Sequence, residues 1–290
     1  MNADCMECLL RRHLKTARLH GTDEQVTAFA RDLMDLLANG PADQASPYFT
    51  PPITKLFVKH FGLGEDRYVR EKEESNRFVL SRMEKLRSMV ADAEDPLYAG
   101  IQLAILGNYI DFSALQGEVS FDTLDGMIES ARSIEVDRGA CQELRQDLER
   151  GRNLLYLTDN AGEIGFDRVL TEEIHRQFPR LSINFCVRGG PTLNDATRED
   201  AAVVGIPFPV IDNGSRIPGT VLSEASDDLK RALTQADVVM AKGQANVETL
   251  YGMDHGSNLY FLFLIKCGRF MEAFGKEKFA PMLLHDRKTR

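Results

Sequence analysis

Three short polar segments carry most of the chemistry that this chain's residue types allow. They are Thr158-Asp159-Asn160-Ala161-Gly162-Glu163, Arg188-Gly189-Gly190-Pro191-Thr192-Leu193-Asn194-Asp195 and Lys242-Gly243-Gln244-Ala245-Asn246. Asp159 and Asp195 offer carboxylates and Asn160 a neutral amide. That oxygen-only set suits a hard divalent ion such as Mg²⁺ or Mn²⁺ and not a soft one. Such an ion bridges to phosphate oxygens, backbone N–H groups at helix starts add a complementary field, and Lys242 can pair with phosphate as a point charge. Phosphate monoester hydrolysis is among the slowest uncatalysed reactions in water, and a Lewis-acidic ion that also acidifies water answers that demand. Each segment also has a plain structural explanation. Asp159, Asn160, Asn194 or Asp195 can cap a following helix, and Lys242-Gly243 can be a surface turn. Only convergence of the three favours a site.

Convergence depends on the elements around them. After Gly151, short apolar runs alternate with amphipathic stretches. Strands are expected over 153–158, 181–187, 208–211, 238–241 and 259–265, and helices over 163–177, 196–204 and 224–235. Alternating strands and helices imply an α/β fold with a largely parallel sheet and helices on both faces. Ligands bind such sheets at the carboxyl ends of the strands, and all three polar segments follow a strand. Asp212-Asn213-Gly214-Ser215 also follows a strand but reads as a turn.

Before Gly151 the chain reads as almost wholly helical, with apolar residues at helical spacing in 8–14, 26–33 and 78–86. Gly40-Pro41 ends a helix, 46–52 reads as a rigid connector, and Asp95-Pro96 starts another helix. The charged stretch 65–92 reads as a surface helix with a solvated face. The division expected is a helical region, 1–151, packed on an α/β metal-binding core, 152–290.

The formal net charge of -9 over 290 residues argues against nucleic acid or an anionic membrane as partner. A phosphorylated ligand must then be held by a local positive feature. The N-terminus carries charges where a secretory signal needs an apolar stretch, and the apolar run 259–265 is too short to cross a bilayer. Five scattered cysteines do not make a disulfide scaffold, which points to a reducing cytoplasm. Cys5 and Cys8 share one helix face near His13 and form half of a tetrahedral zinc site, with no second Cys-x-x-Cys to complete it. They read as small buried hydrophobes or idle thiols, and spacing does not support Cys267 as a third partner. His255, beside Asp254, reads as a surface-turn residue.

The three segments, together with Phe166-Asp167, Ala196-Thr197, Glu248-Thr249-Leu250, Cys5-Met6-Glu7-Cys8 and Gly107-Asn108-Tyr109-Ile110-Asp111-Phe112, resemble the damage-control phosphatases. That family was long catalogued as domain of unknown function 89, and the Cys-x-x-Cys belongs to its bacterial and archaeal branch. The resemblance spans nearly the whole chain. It implies a helical N-terminal part on a Rossmann-like core, and phosphatase activity on damaged or surplus phosphometabolites, sugar phosphates included, with Mn, Co, Ni or Mg ions. Carried over by position, the metal ligands fall on Asp159, Asn160 and Asp195. Asn108, Asp111 and the segment at Lys242 fall near the substrate, and Gly189, Gly190, Gly243 and Asn246 are expected among its contacts. Glu163 either orients a ligand or acts as acid/base, although a Glu in a first helical turn also suits the helix dipole. The nucleophile is either water or the Asp159 carboxylate. Departures occur at Ala245, where the family usually has a second Gly, and after Lys266-Cys267.

The reading is therefore a metal-dependent phosphatase for a small phosphorylated metabolite. Two alternatives stand beside it. An S-adenosylmethionine-dependent methyltransferase would use an acidic loop after the first strand, but no G-x-G-x-x-G run follows that strand. A non-catalytic ligand-binding α/β module would use the loop carboxylates only as caps.

Overall fold

The computed structural model describes residues 1–64, 66–109, 121–253 and 256–287. Asp111 and the pair Asp254-His255 lie outside the described residues. The chain begins with helices α1 (Ala3–Ala17), α2 (Asp23–Asn39) and α3 (Thr50–Phe61). Their apolar faces, with Leu9, Phe29, Leu33, Ile53 and Phe57, make a cluster of their own. Helix α3 starts inside the expected connector, because Pro51 and Pro52 occupy its first turn, where a missing N–H costs nothing.

Next come α4 (Val69–Leu80), α5 (Met83–Ala91), α6 (Pro96–Gly107), α7 (Phe121–Glu129) and α8 (Arg138–Arg150). The charged stretch expected to be one solvated helix is thus two, and α4 buries Lys72, Ser75, Asn76, Phe78 and Val79. Its polar residues are packed inside because other polar groups meet them there. Helix α6 is capped by Asp95, whose side chain accepts from the Tyr98 N–H, as the Asp-Pro start predicts. It is apolar all round, so it is covered on every side.

The rest alternates: β1 (Asn153–Leu157), α9 (Glu163–Gln177), β2 (Ser182–Val187), α10 (Arg198–Val204), β3 (Val210–Asp212), α11 (Asp227–Gln235), β4 (Val238–Lys242), α12 (Gly243–Leu250), β5 (Asn258–Leu264), α13 (Gly268–Phe274) and β6 (Pro281–Asp286). The strands lie in the order β3-β2-β1-β4-β5-β6. The first five strands are parallel and β6 runs antiparallel against β5. Strand β6 is absent from the sequence expectation: it opens on Pro and buries only Leu283, so it has no apolar run of its own. Pairing with the β5 edge makes it a strand.

One continuous core joins helices α4 to α9 to the sheet, from Phe78 through Leu106, Phe166 and Tyr156 to Leu283. Helix α6 packs closely on α9. A Cβ on Gly100 would meet Leu170 at 3.0 Å, and one on Gly107 would meet Phe166 at 3.0 Å. Those two glycines let α6 lie close, and its C-cap residue Asn108 is thereby brought against the loop after β1. The strand order reverses between β1 and β4, so a crevice is expected between the loops that follow them. Among the described residues no helix is long and apolar enough to cross a membrane.

Candidate active site

Strand β1 delivers Thr158, Asp159 and Asn160 to the carboxyl edge, and the segment after β2 folds back across them. The Ala161 N–H donates to Asn194 O and the Ala196 N–H to Asp159 O, both at 2.8 Å. Asn160 and Asp195 are antiparallel bridge partners between those two bonds. In such a non-hydrogen-bonded pair the Cα atoms stand about 4.5 Å apart and the side chains leave on the same side. Asp159, Asn160 and Asp195 are 6%, 3% and 3% exposed. The donors expected to hold an ion therefore meet in one buried place.

Arg188 lies between the two carboxylates. Its Nε donates to Asp195 Oδ2 at 2.7 Å, and its Nη2 donates to Thr158 O at 3.1 Å and stands 4.0 Å from Asp159 Oδ1. Its Nη1 is buried and has no hydrogen-bond partner among the described residues, a donor that a bound oxygen would satisfy. Arg188 is not among the residues singled out from sequence, because an Arg at a strand end reads as a surface charge. The signal was its place at the head of the second polar segment.

Glu163 is the hub. Its Oε1 accepts from Lys242 Nζ at 2.6 Å and Asn108 Nδ2 at 3.0 Å. Its Oε2 accepts from Asn160 Nδ2 at 2.8 Å and the Asn160 N–H at 3.3 Å. The Asn108 and Asn160 amides also donate to Asp159 Oδ2, at 3.0 and 2.9 Å. With both amide protons of Asn160 directed to carboxylates, its Oδ1 is the atom left for a cation. Lys266, half-buried at the rim, donates to Asn108 O at 2.7 Å.

Lys242 was expected to meet phosphate directly, and here the structure differs. Its ammonium is 0% exposed and donates to Glu163, to Asp167 Oδ1 at 2.7 Å and to Ala104 O at 2.8 Å. Three protons have three protein acceptors, so none remains for substrate. Burial alone would lower its pKa, but the Asp167 and Glu163 carboxylates outweigh that and hold the ammonium charged. Burial pushes the Asp167 carboxyl up to about 7, opposed by Lys242 and assisted by Glu163. Its Oδ2 has no hydrogen-bond partner among the described residues, which makes ionisation costly, while Oδ1 also accepts from Tyr156 OH at 2.9 Å.

Asn246, expected against substrate, is instead packed inside the protein. The third segment is no loop: β4 ends at Lys242 and α12 starts at Gly243. Asn246 therefore sits inside a helix, 0% exposed, donating to Lys242 O and Thr158 O and accepting from Thr220 Oγ1. It fastens β1 to α12. The Gly189 N–H donates to Ser215 O, and a Cβ there would lie 2.6 Å from the Gly214 backbone, so Gly189 lets two loops touch. Gly190 faces Arg216, whose Nε a Cβ would meet at 2.9 Å. Gly243 lies directly against Asp159: its φ is +77° and a Cβ would fall 1.8 Å from Asp159 Oδ2. Only glycine permits that approach.

The donor chemistry fits a divalent ion. Four buried carboxylates (Asp159, Glu163, Asp167, Asp195) face two buried cations (Lys242, Arg188). Among the described buried residues that leaves a formal excess of two negative charges, of which the raised Asp167 relieves a part. Buried charge is stable only when compensated, and one hard dication supplies the balance. Among the described residues no group of three or more His, Cys, Asp or Glu could hold an ion, so a site here needs the Asn160 amide as its third donor. Cys5, Cys8 and Cys267 are free thiols.

Comparison with known proteins identifies the family. The profile of the damage-control phosphatase ARMT1-like domain matches residues 1–281. A damage-control phosphatase of Archaeoglobus fulgidus is 31% identical over 275 residues, covering 91% of each chain. One of Pyrococcus horikoshii is 30% identical over 268 residues, covering 91% of this chain and 90% of its own. An uncharacterised protein of Methanocaldococcus jannaschii is 31% identical, covering 94% and 91%. The crystal structure of a DUF89-family protein from Pyrococcus horikoshii superposes with a TM-score of 0.84 at 26% identity, covering 99% of both chains. With buried oxygen donors gathered at the switch point of the sheet and a match along nearly its whole length, this chain belongs to the damage-control phosphatase ARMT1-like family.

Proposed function

We propose that this chain is a divalent-metal-dependent phosphomonoester hydrolase for small phosphorylated metabolites, sugar phosphates or damaged and surplus phosphometabolites, using Mn, Mg, Co or Ni. Family membership supports the reaction class. The observation that carries the metal is the pairing of Asn160 with Asp195 beside Asp159, inside a cluster with excess buried negative charge. Asp159, Asn160 and Asp195 would hold the ion. When bound, it supplies Lewis-acid neutralisation of the phosphoryl oxygens.

The protein groups have separate tasks. Asn108 and Asn160 fix Asp159 by donating to its Oδ2. Glu163 aligns both amides, and with its oxygens filled by N–H donors it works as a strut and not as a proton carrier. Lys242 holds Glu163 in place from below. The first turn of α12 begins at Gly243 against Asp159, so its N–H groups add a field favourable to an anion. Water is the nucleophile in this reading, because Asp159 is assigned to hold the ion and its Oδ2 already accepts from two amides.

The test is a panel of sugar and cofactor phosphates against Mn²⁺, Mg²⁺, Co²⁺ and Ni²⁺, with chelated controls and Asp195→Asn. Expected are chelator-sensitive turnover in the wild type, and loss of both Mn²⁺ binding and about 10²–10³-fold in kcat for the variant with the fold intact. A capping role alone predicts that Asp159→Ala costs about 1 kcal/mol of stability and leaves metal affinity unchanged. In a single turnover in ¹⁸O-water the label should enter phosphate only. Label in the Asp159 carboxylate would establish the phospho-enzyme route instead.

A further inference from the structure

Helix α4 carries none of the proposed ligands, yet it buries a polar set directly behind both ligand loops. Asn76 is 4% exposed, Lys72 7% and Asp200 5%. Asn76 Oδ1 accepts the Gly162 N–H at 2.8 Å, and its Nδ2 donates to Asp200 Oδ1 at 2.8 Å. Asp200 Oδ2 accepts from the Thr197 N–H and hydroxyl, both at 2.8 Å, and from Lys72 Nζ at 2.7 Å. Gly162 lies in the segment that carries Asp159 and Asn160, and Thr197 follows Asp195 closely in the other. One side-chain amide thus reads the backbone of the first loop and, through Asp200, that of the second.

Capping α10 needs only Thr197 and Asp200, which already form a capping box. A lysine and an asparagine buried on a different helix are surplus to that need. A buried ion pair also gains little net stability, because desolvation offsets its attraction. What this set does supply is geometry. Gly162, with φ +76°, is pressed so closely on α4 that a Cβ would lie 2.6 Å from Ser75 Cβ. The two loops are also joined by the Ala161–Asn194 and Ala196–Asp159 backbone bonds and by Arg188, which donates to Asp195 and to Thr158 O, and the clamp backs both loops.

We infer that Asn76, held by Asp200 and Lys72, is a positioning residue that sets the separation of the loops bearing Asp159, Asn160 and Asp195. The inference rests on the metal-site reading above but is testable without it. Full-length wild type is compared with Asn76→Ala, Asn76→Asp and the double exchange Asn76→Asp/Asp200→Asn. The double exchange keeps every hydrogen bond with donor and acceptor reversed between 76 and 200. Amide hydrogen exchange at Ala161 and Ala196 is followed in metal-free protein, and the Mn²⁺ dissociation constant is measured separately.

The single substitutions should speed exchange at Ala196, on the far loop, and weaken Mn²⁺ binding about 10–100-fold, the usual effect of losing a partner behind metal ligands. The double exchange should restore both. Unchanged exchange at Ala196 in the folded single variants, or a double exchange as impaired as they are, overturns the clamp. If Asn76→Ala does not fold, the single and double aspartate variants decide the matter. A wild type that binds no Mn²⁺ sinks the metal reading, and the exchange arm then judges the clamp by itself.

Discussion

At the residue scale, the site is built from donors that have no freedom left. Glu163 and Lys242 are both 0% exposed, and each is fixed by several partners. Gly243 is the least replaceable position. Gly243→Ala combines a left-handed backbone with a Cβ 1.8 Å from Asp159 Oδ2. It should cost more than about 1 kcal/mol of stability and most of the turnover, measured by urea melts and initial rates. Asp167 gives a pH signature. Its folded pKa of about 7 lies above the 3.8 usual for an aspartate, so between those values the folded state binds more protons than the unfolded one. Its contribution to stability is therefore lost as pH rises from about 4 to 7. Asp167→Asn removes that slope, so the stability of wild type minus variant should fall across this window, read from urea melts at pH 5 and 7. A difference that is flat or rises with pH would contradict the assignment. The residue types at 159, 160, 163, 195 and 242 announce acid–amide–cation chemistry in the sequence. Which lysine proton meets which acceptor does not show there, since Lys242 as a buried strut and Lys242 as a phosphate clamp have the same spelling.

At the element scale, the helix and strand alternation after Gly151 was legible because buried parallel strands are apolar runs and crossover helices are amphipathic. Strand β6 and the divided α4–α5 pair were not. The first is made by its partner strand, and the second hides polar residues whose partners are distant in sequence, Asn76 meeting Gly162 and Asp200. The first three helices form a separate packing unit centred on Phe57, whose ring lies 4.7 Å from that of Phe29 and beneath the Arg67 guanidinium at 4.4 Å. Phe57→Ala should cost about 3–5 kcal/mol locally. Amide exchange should rise across α1–α3 while β1 and β4 keep their protection, as expected for units that open separately. Equal loss of protection in the sheet would show that the two clusters unfold as one.

At the scale of the whole molecule, an acidic chain concentrates its buried charge where a cation is proposed to bind, so metal and fold should be linked. Mn²⁺ at about 100 times its dissociation constant should stabilise the protein by about 2.7 kcal/mol, seen as a rise in Tm that chelator reverses and Asp195→Asn abolishes. A Tm indifferent to Mn²⁺ counts against the site. The sequence by itself determined the alternation of elements, the family and which oxygen-bearing residue types follow the strands, because periodicity, turn chemistry and side-chain type are local properties. Tertiary structure alone decided that Asn160 faces Asp195, that Arg188 stands between two carboxylates, that Lys242 is spent on Glu163 and Asp167, and that α4 lies behind both loops. Those facts concern distances between residues far apart in the chain, which are set by how α6 and α4 pack on α9 and by where the order of the sheet reverses.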